Sequence, residues 1–102
     1  MLDITPLFHG ELFKSFQPQR VVFQLKDAEG LKAPYRQIYS TDIQVSKNGN
    51  PFVNGCGVVG EIGEGYYFYQ VPEFELDVPG TLLIRIKAHD CREAIVAAMV
   101  YP

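Results

Sequence analysis

The sequence predicts an all-β fold, because short apolar runs alternate with turns that contain glycine. Three such runs follow one another between residues 42 and 88, so the backbone is expected to reverse several times within that stretch. Within residues 81–88 apolar and polar side chains alternate, which is the period of a strand with one buried face. A length of 102 residues is typical of one domain, so the strands are expected to share a single core.

Two strands are predicted in the first half of the chain. Residues 20–26 alternate cleanly and are closed by a turn, and residues 42–46 alternate in the same way. The pair Asn48 and Gly49 tolerates positive φ angles and is typical of a tight hairpin turn after the second strand. Residues 31–41 show no clean period, and we interpret them as an ordered loop or a short extended piece.

The second half of the chain contains the remaining predicted strands. A short extended piece at residues 51–53 precedes a strand at residues 56–62, which its glycines weaken. Residues 66–71 form an aromatic strand that ends at Pro72. The almost wholly apolar residues 94–101 favour a central strand covered on both faces over a short helix, because the run ends without helix caps.

The segment between Pro72 and Pro79 is predicted to be a connector. We expect a single helical turn or a bend there, with Leu76 inserted into the core. Together these elements amount to six or seven short strands. Their number and spacing predict two packed antiparallel sheets, an immunoglobulin-like sandwich over residues 20–102.

An apolar segment precedes this domain. Residues 1–19 are too apolar for a solvated tail, and Pro6 and Pro18 interrupt any long regular element. The segment forms either an edge strand of the same domain or an arm that docks on a partner chain, and the sequence leaves both alternatives open. As an arm, it is expected to bind the partner through Leu7, Phe8, Phe13 and Phe16.

The aromatic strand is the second candidate binding surface. In one interpretation Tyr66 and Phe68 face the core and Tyr67 and Tyr69 face outward, where rigid rings offer contact area for a protein or a sugar. In the opposite alternative the N-terminal segment covers the outward rings. The candidate partner-binding tyrosines are Tyr66, Tyr67 and Tyr69.

The sequence contains no recognisable reaction chemistry. His89 is followed by Asp90, and such a pair at a strand end is typical of a solvated turn rather than of a catalytic or metal site. No nucleophile triad, phosphate-binding loop or metal-ligand cluster can be assembled. We therefore expect no enzyme activity and no cofactor.

Acidic residues cluster around the aromatic strand. They lack the ordered spacing of a calcium-binding loop, so we expect a solvated rim that keeps the protein soluble. The acids concerned are Glu61, Glu64, Glu73, Glu75 and Asp77.

Cys56 and Cys91 are too few for a disulfide scaffold, and they lack the paired spacing of a zinc site. Two reduced, mostly packed thiols are favoured in a protein made in the cytoplasm, although a disulfide between them stays open. The net charge of −3 provides no basic field for nucleic acid. No run approaches the ~20 apolar residues of a membrane-spanning helix, and Met1 is not followed by a secretion signal.

Several turn and core motifs suggest a family. They are SKNG at residues 46–49 with Phe52 after it, EIGEGYY at residues 61–67, LD at residues 76–77 and GTLLIRI at residues 80–86. These motifs resemble those of small β-sandwich modules in virion structural proteins of tailed bacteriophages and prophages. The resemblance covers roughly residues 21–101.

The resemblance has two departures. Tyr66 stands where the family pattern usually has tryptophan, and Cys56 and Cys91 are not part of that pattern. Neither departure threatens the fold, because tyrosine keeps the aromatic body and cysteine packs as a small apolar residue.

The resemblance implies a non-enzymatic virion protein that is made in the cytoplasm of the bacterial host. Such a protein would be a capsid decoration or cement protein, or a component of the tail, baseplate or fibre. Its expected partners are other capsid or tail subunits, in a homo-oligomer or a repeated lattice contact, with no nucleic acid and no membrane. The alternative is a β-sandwich module that binds carbohydrate or a host surface.

Overall fold

Strands make up most of the regular structure in residues 11–15 and 17–102, the part of the chain that a computed structural model describes. In chain order the elements are β1 (Glu11–Lys14), β2 (Gln19–Gln24), the 3-10 helix η1 (Ser40–Asp42), β3 (Ile43–Lys47), β4 (Val53–Asn54), β5 (Val58–Gly63), β6 (Tyr66–Val71), the 3-10 helix η2 (Glu73–Leu76), β7 (Gly80–Ile86) and β8 (Ala94–Tyr101). No α-helix occurs among these described residues, so the all-β prediction is confirmed. The eight strands exceed the predicted six or seven because β1 belongs to the fold.

The strands form two sheets. One has five strands in the order β1-β8-β7-β3-β4, and the other has three in the order β2-β6-β5. All pairs are antiparallel except β1 with β8, which run parallel from Glu11 opposite Ala98 to Lys14 opposite Tyr101. Every pair among β2–β8 is antiparallel, as predicted for the sandwich, and the parallel pair involves β1 of the N-terminal segment. Since β1 and β8 come from opposite ends of the chain, no hairpin turn fixes their relative direction.

The core lies between the inner faces of the two sheets. Val21 and Phe23 of β2 pack there with side chains of β6, β7 and β8. Leu76 of η2 is fully buried among them, so the prediction that the connector inserts Leu76 into the core is confirmed. Lys47 holds the connector from outside, because its ammonium donates to the Phe74 carbonyl at 2.9 Å and to an Asp77 carboxylate oxygen at 2.6 Å. The hydrogen bond from Lys47 lowers the pKa of Asp77.

The aromatic strand β6 faces the opposite way from the prediction. Tyr67 and Tyr69 are buried, with 1% and 0% of their surface exposed, whereas Tyr66 is 43% exposed and Phe68 is half-buried. The prediction that Tyr67 and Tyr69 face outward is wrong. The period of a strand separates these two pairs but does not say which pair is buried, and the buried Val71 continues the face of Tyr67 and Tyr69.

The N-terminal segment contributes an edge strand to the domain. β1 lies at the edge of the five-stranded sheet, and Phe13 packs in the domain's own core with 2% of its surface exposed. Phe13 therefore offers no surface to a partner chain, because its side chain is buried in the core between the sheets. Leu7, Phe8 and Phe16, the other members of the predicted arm, lie outside the described residues.

Residues 94–101 form strand β8, as predicted, and β8 lies between β1 and β7. The prediction that both of its faces are covered is wrong. Ala98 and Val100 point into the core, whereas Ile95, Met99 and Tyr101 are exposed on the outer face. Among the described residues, no element packs over that outer face, so an apolar sequence here does not mean two-sided burial.

Candidate binding surfaces

The predicted histidine site is a surface turn. His89 and Asp90 are both exposed, and Nε2 of His89 lies 3.2 Å from Oδ2 of Asp90. Within residues 11–15 and 17–102, no three histidine, cysteine or acidic side chains come together as metal ligands would. In the same part of the chain, no helix has the length and apolar character needed to cross a membrane. Cys56 is exposed and Cys91 is buried, and both are free.

A buried polar network joins the connector to β6. The Tyr69 hydroxyl donates to Oε1 of Glu75 at 2.6 Å and accepts the Gly57 amide at 3.0 Å, while the Cys56 amide donates to Oε2 of Glu75 at 2.8 Å. Burial, and then the hydrogen bond to Glu75, raise the pKa of Tyr69. Because Glu75 is only 4% exposed, the prediction that it belongs to a solvated acidic rim is wrong. The network thus fixes the connector to β6 through two side chains that are buried in the domain.

An open cleft of about 310 Å³ lies beside β5. One wall is residues 35–38, and the other is residues 59–61 with Tyr67 at the base. Two backbone amides anchor the first wall, since Tyr35 N donates to Oε2 of Glu61 at 2.9 Å and Arg36 N donates to the Tyr67 hydroxyl at 2.9 Å. The Tyr67 hydroxyl in turn donates to the Ala33 carbonyl at 2.7 Å, so the loop is held in one place from two sides.

Tyr35 adopts an unusual backbone conformation at the mouth of this cleft. Its φ is +60°, in the left-handed region that bulky side chains rarely enter, and such a conformation costs roughly 1–3 kcal/mol. Its side chain is 88% exposed, so burial of the ring does not offset this cost. Sequence reasoning identified residues 31–41 only as a loop, and nothing in the residue types signals a left-handed tyrosine.

The outer face of the five-stranded sheet carries an apolar patch, which we call the β8 patch. It consists of the exposed side chains of Ile95, Met99 and Tyr101 together with the half-buried Leu83 of the adjacent strand β7. Ala97 lies opposite Leu83 and connects the patch along β8. Since these residues sit at the middle of a sheet, the patch is continuous rather than a scatter of single apolar side chains.

Basic side chains flank the β8 patch. Lys14 of β1 lies opposite Tyr101, and Arg85 of β7 lies opposite Ile95. The Arg85 guanidinium also lies 4.0 Å over the Phe52 ring and hydrogen-bonds to Gln44. Two basic side chains therefore lie beside the patch, although the chain as a whole is acidic.

The three-stranded sheet also exposes apolar side chains on its outer face, among them Val22 and Val58, although one of its rings is covered. Phe68 lies against Gly60, where a Cβ atom would collide with its ring, and the Arg20 guanidinium covers the ring at 3.8 Å. Tyr66 and Val22 remain exposed beside it. Of the three tyrosines predicted to bind a partner, only Tyr66 therefore presents its ring to solvent.

Comparison with known proteins finds no family model, no curated protein and no solved structure that matches this chain. The functional interpretation therefore depends on the chain's own residues and their geometry.

Proposed function

We propose that this chain is a non-enzymatic structural protein of a bacteriophage virion, which docks on other virion subunits. Its place would be that of a capsid decoration or cement protein, or of a tail, baseplate or fibre component. The motif resemblance in residues 46–86 supports the virion assignment. The predicted homo-oligomer or repeated lattice contact belongs to the same proposal.

The strand order supports an immunoglobulin-like sandwich as the fold. In that class one sheet contains strands B, E and D, and the other contains G, F and C with C′ added in the variable type. The order β2-β6-β5 corresponds to the first set, and β8-β7-β3-β4 corresponds to the second. Domains of this class commonly act as binding scaffolds, but fold alone does not specify a partner.

The β8 patch is the observation that carries the docking role. Exposed apolar side chains on a central strand, as at Ile95 and Met99, are costly in a protein that works alone and are typical of a surface that a partner covers. Lys14 and Arg85 at the margin would favour a partner with acidic side chains around an apolar centre. We therefore assign the patch to contact with a neighbouring virion subunit of that character.

Replacing both Ile95 and Met99 with lysine is expected to lower the amount of this chain in assembled particles at least about tenfold, because two apolar contacts of roughly 1.5–3 kcal/mol each are lost. The fold should survive, since both side chains point to solvent. The measurement is quantitative protein analysis of purified particles, with a melting curve of the isolated variant.

Val78→Lys is the matched control, because Val78 is an exposed apolar residue outside both sheets. It should be incorporated as well as the unmodified chain. Normal incorporation of the Ile95→Lys, Met99→Lys variant would exclude the β8 patch as the docking surface.

The arm remains a separate proposal for Leu7, Phe8 and Phe16. Replacing Leu7 and Phe8 with serine changes no residue of β1, and a melting curve of the variant reports whether the fold is kept. We expect incorporation to fall several-fold, because two apolar contacts are lost at the interface. The conservative pair Leu7→Met, Phe8→Tyr should be incorporated normally, and equal incorporation of both pairs would exclude the arm from docking.

The alternative function, carbohydrate binding by the rings of β6, lacks most of the aromatic surface that it needs. It required the rings of β6 to face solvent, and Tyr67 and Tyr69 are buried. Tyr66 alone presents too little aromatic surface beside Val22 and Phe68 to favour a sugar over a protein contact.

A further inference from the structure

The cleft beside β5 is separate from the β8 patch, since it is lined by the other sheet and by residues 35–38. Its wall is fixed before any ligand arrives, because the amides of Tyr35 and Arg36 are both tied to side chains of the sheet at 2.9 Å. A binding site that is already ordered loses little conformational entropy when it is occupied. The loop that forms this wall is therefore ordered in advance of binding.

The anchoring presents one aromatic ring to solvent. The carboxylate of Glu61 and the hydroxyl of Tyr67 hold the backbone where Tyr35 must take a positive φ, and the Tyr35 ring stands exposed at the cleft. Strained backbone of this kind tends to cluster at sites with a function. Tyrosine is also a rigid contact surface, because it has few rotatable bonds to immobilise.

The remaining lining groups are polar and can both donate and accept hydrogen bonds. Arg36 and Gln37 are exposed, and Glu61 has a second carboxylate oxygen besides the one that accepts the Tyr35 amide. Val59 and Ile38 add a small apolar floor. The volume of about 310 Å³ is at the low end of the roughly 300–1,000 Å³ usual for small-molecule sites, so it suits one or two rings.

We propose that this cleft binds a neutral saccharide. The apolar C–H face of a pyranose ring would stack on Tyr35, and its hydroxyl groups would bond to Gln37, Arg36 and Glu61. An anion or a cation would be attracted by one of Arg36 and Glu61 and repelled by the other, whereas a neutral polyol can accept hydrogen bonds from Arg36 and donate to Glu61. This inference does not depend on the docking proposal, because it uses none of the residues of the β8 patch.

The test is an NMR titration of the full chain with methyl α-glucoside, methyl α-galactoside, N-acetylglucosamine, rhamnose and maltotriose, each up to tens of millimolar. We expect at least one of these sugars to give saturable shifts of the Tyr35, Arg36 and Glu61 amides. Tyr35→Ala should weaken that binding about tenfold or more. Tyr39→Ala is the matched control, since Tyr39 is an exposed tyrosine of the same loop that does not line the cleft.

Tyr35→Gly separates loss of the ring from loss of the fold. Glycine accepts the positive φ at this position, so the variant should stay folded and still fail to bind. Sugar binding should also be unchanged in the Ile95→Lys, Met99→Lys variant. The proposal is overturned if none of the five sugars shifts these amides, if the shifts map to Tyr66 instead, or if Tyr39→Ala weakens binding as much as Tyr35→Ala.

Discussion

Replacing Glu75 with alanine is expected to lower the free energy of unfolding by about 3 kcal/mol, a large effect for a residue in a short surface connector. The carboxylate accepts the Tyr69 hydroxyl at 2.6 Å and the Cys56 amide at 2.8 Å, and both donors would lose their partner in a nearly closed site. Chemical denaturation of the isolated chain measures the change. Hydrogen exchange of the Cys56 and Gly57 amides should accelerate as well, because the network anchors that segment to the core.

Glu73→Ala provides the comparison, because Glu73 lies in the same 3-10 helix but is exposed. Its effect should stay within about 0.5 kcal/mol, as for ordinary surface substitutions. A double-mutant cycle with Tyr69→Phe should give an interaction energy of about 1 kcal/mol or more, since both changes break the same hydrogen bond. If Glu75→Ala and Glu73→Ala are equally mild, or if the cycle is additive, the network does not stabilise the fold.

The hydrogen-bonded pair of Glu75 and Tyr69 lies inside the domain. A carboxylate paired with a tyrosine hydroxyl is a familiar catalytic arrangement, but here the surrounding core leaves it inaccessible and its hydrogen bonds run to backbone amides. In the described residues, every fully buried side-chain nitrogen or oxygen has a hydrogen-bond partner. The polar groups inside the described part of the domain thus fix segments to one another.

Local turn chemistry and two-residue periodicity could be predicted from the sequence. Asn48 and Gly49 both take the positive φ that their pairing predicted, with values of 51° and 78°. Leu76 lies in the core as expected. These predictions succeed because the preference lies in the residue itself or in its immediate neighbours.

The sequence could not predict which face of a strand is buried where both faces are apolar. Four consecutive aromatic residues make both faces of β6 apolar, so the buried pair is decided by the hydroxyl partners that the rest of the fold supplies. The burial of Glu75 could not be predicted for a related reason, because its partners Tyr69 and Cys56 lie on other segments and meet it only in the folded domain. The parallel pairing of β1 is likewise a long-range contact between the chain's two ends.

The two candidate surfaces differ in how visible they are in the sequence. In β8 the buried Ala98 and Val100 alternate with the exposed Met99 and Tyr101. The sequence does not reveal this alternation, because the residues on both faces are apolar. The cleft beside β5 depends on where Glu61 meets a loop 26 residues earlier in the chain, so no local pattern could indicate it. The sequence did predict an ordered loop or a short extended piece at residues 31–41, and none of the strands β1–β8 includes these residues.

Replacing Leu76 with alanine is also expected to lower the free energy of unfolding by about 3 kcal/mol, because a fully buried leucine leaves a cavity that the surrounding sheets cannot close. η2 has only four residues, so packing rather than helical hydrogen bonds must hold it in place. Thermal or denaturant unfolding gives the magnitude. The neighbouring Phe74→Ala is the control, since Phe74 is 55% exposed and its loss should cost less than about 1 kcal/mol.

Hydrogen exchange in the Leu76→Ala variant also shows which segments the connector stabilises. Lys47 fixes the outside of the connector through the Phe74 carbonyl and Asp77, and Leu76 fixes its inside. If both are needed, Leu76→Ala should accelerate hydrogen exchange at the Cys56 and Gly57 amides and leave the amides of Tyr35 and Arg36 unchanged, because the latter are anchored to Glu61 and Tyr67 instead. A loss below about 1 kcal/mol, or equal acceleration at both places, would mean that the connector is not an independent anchor of the core.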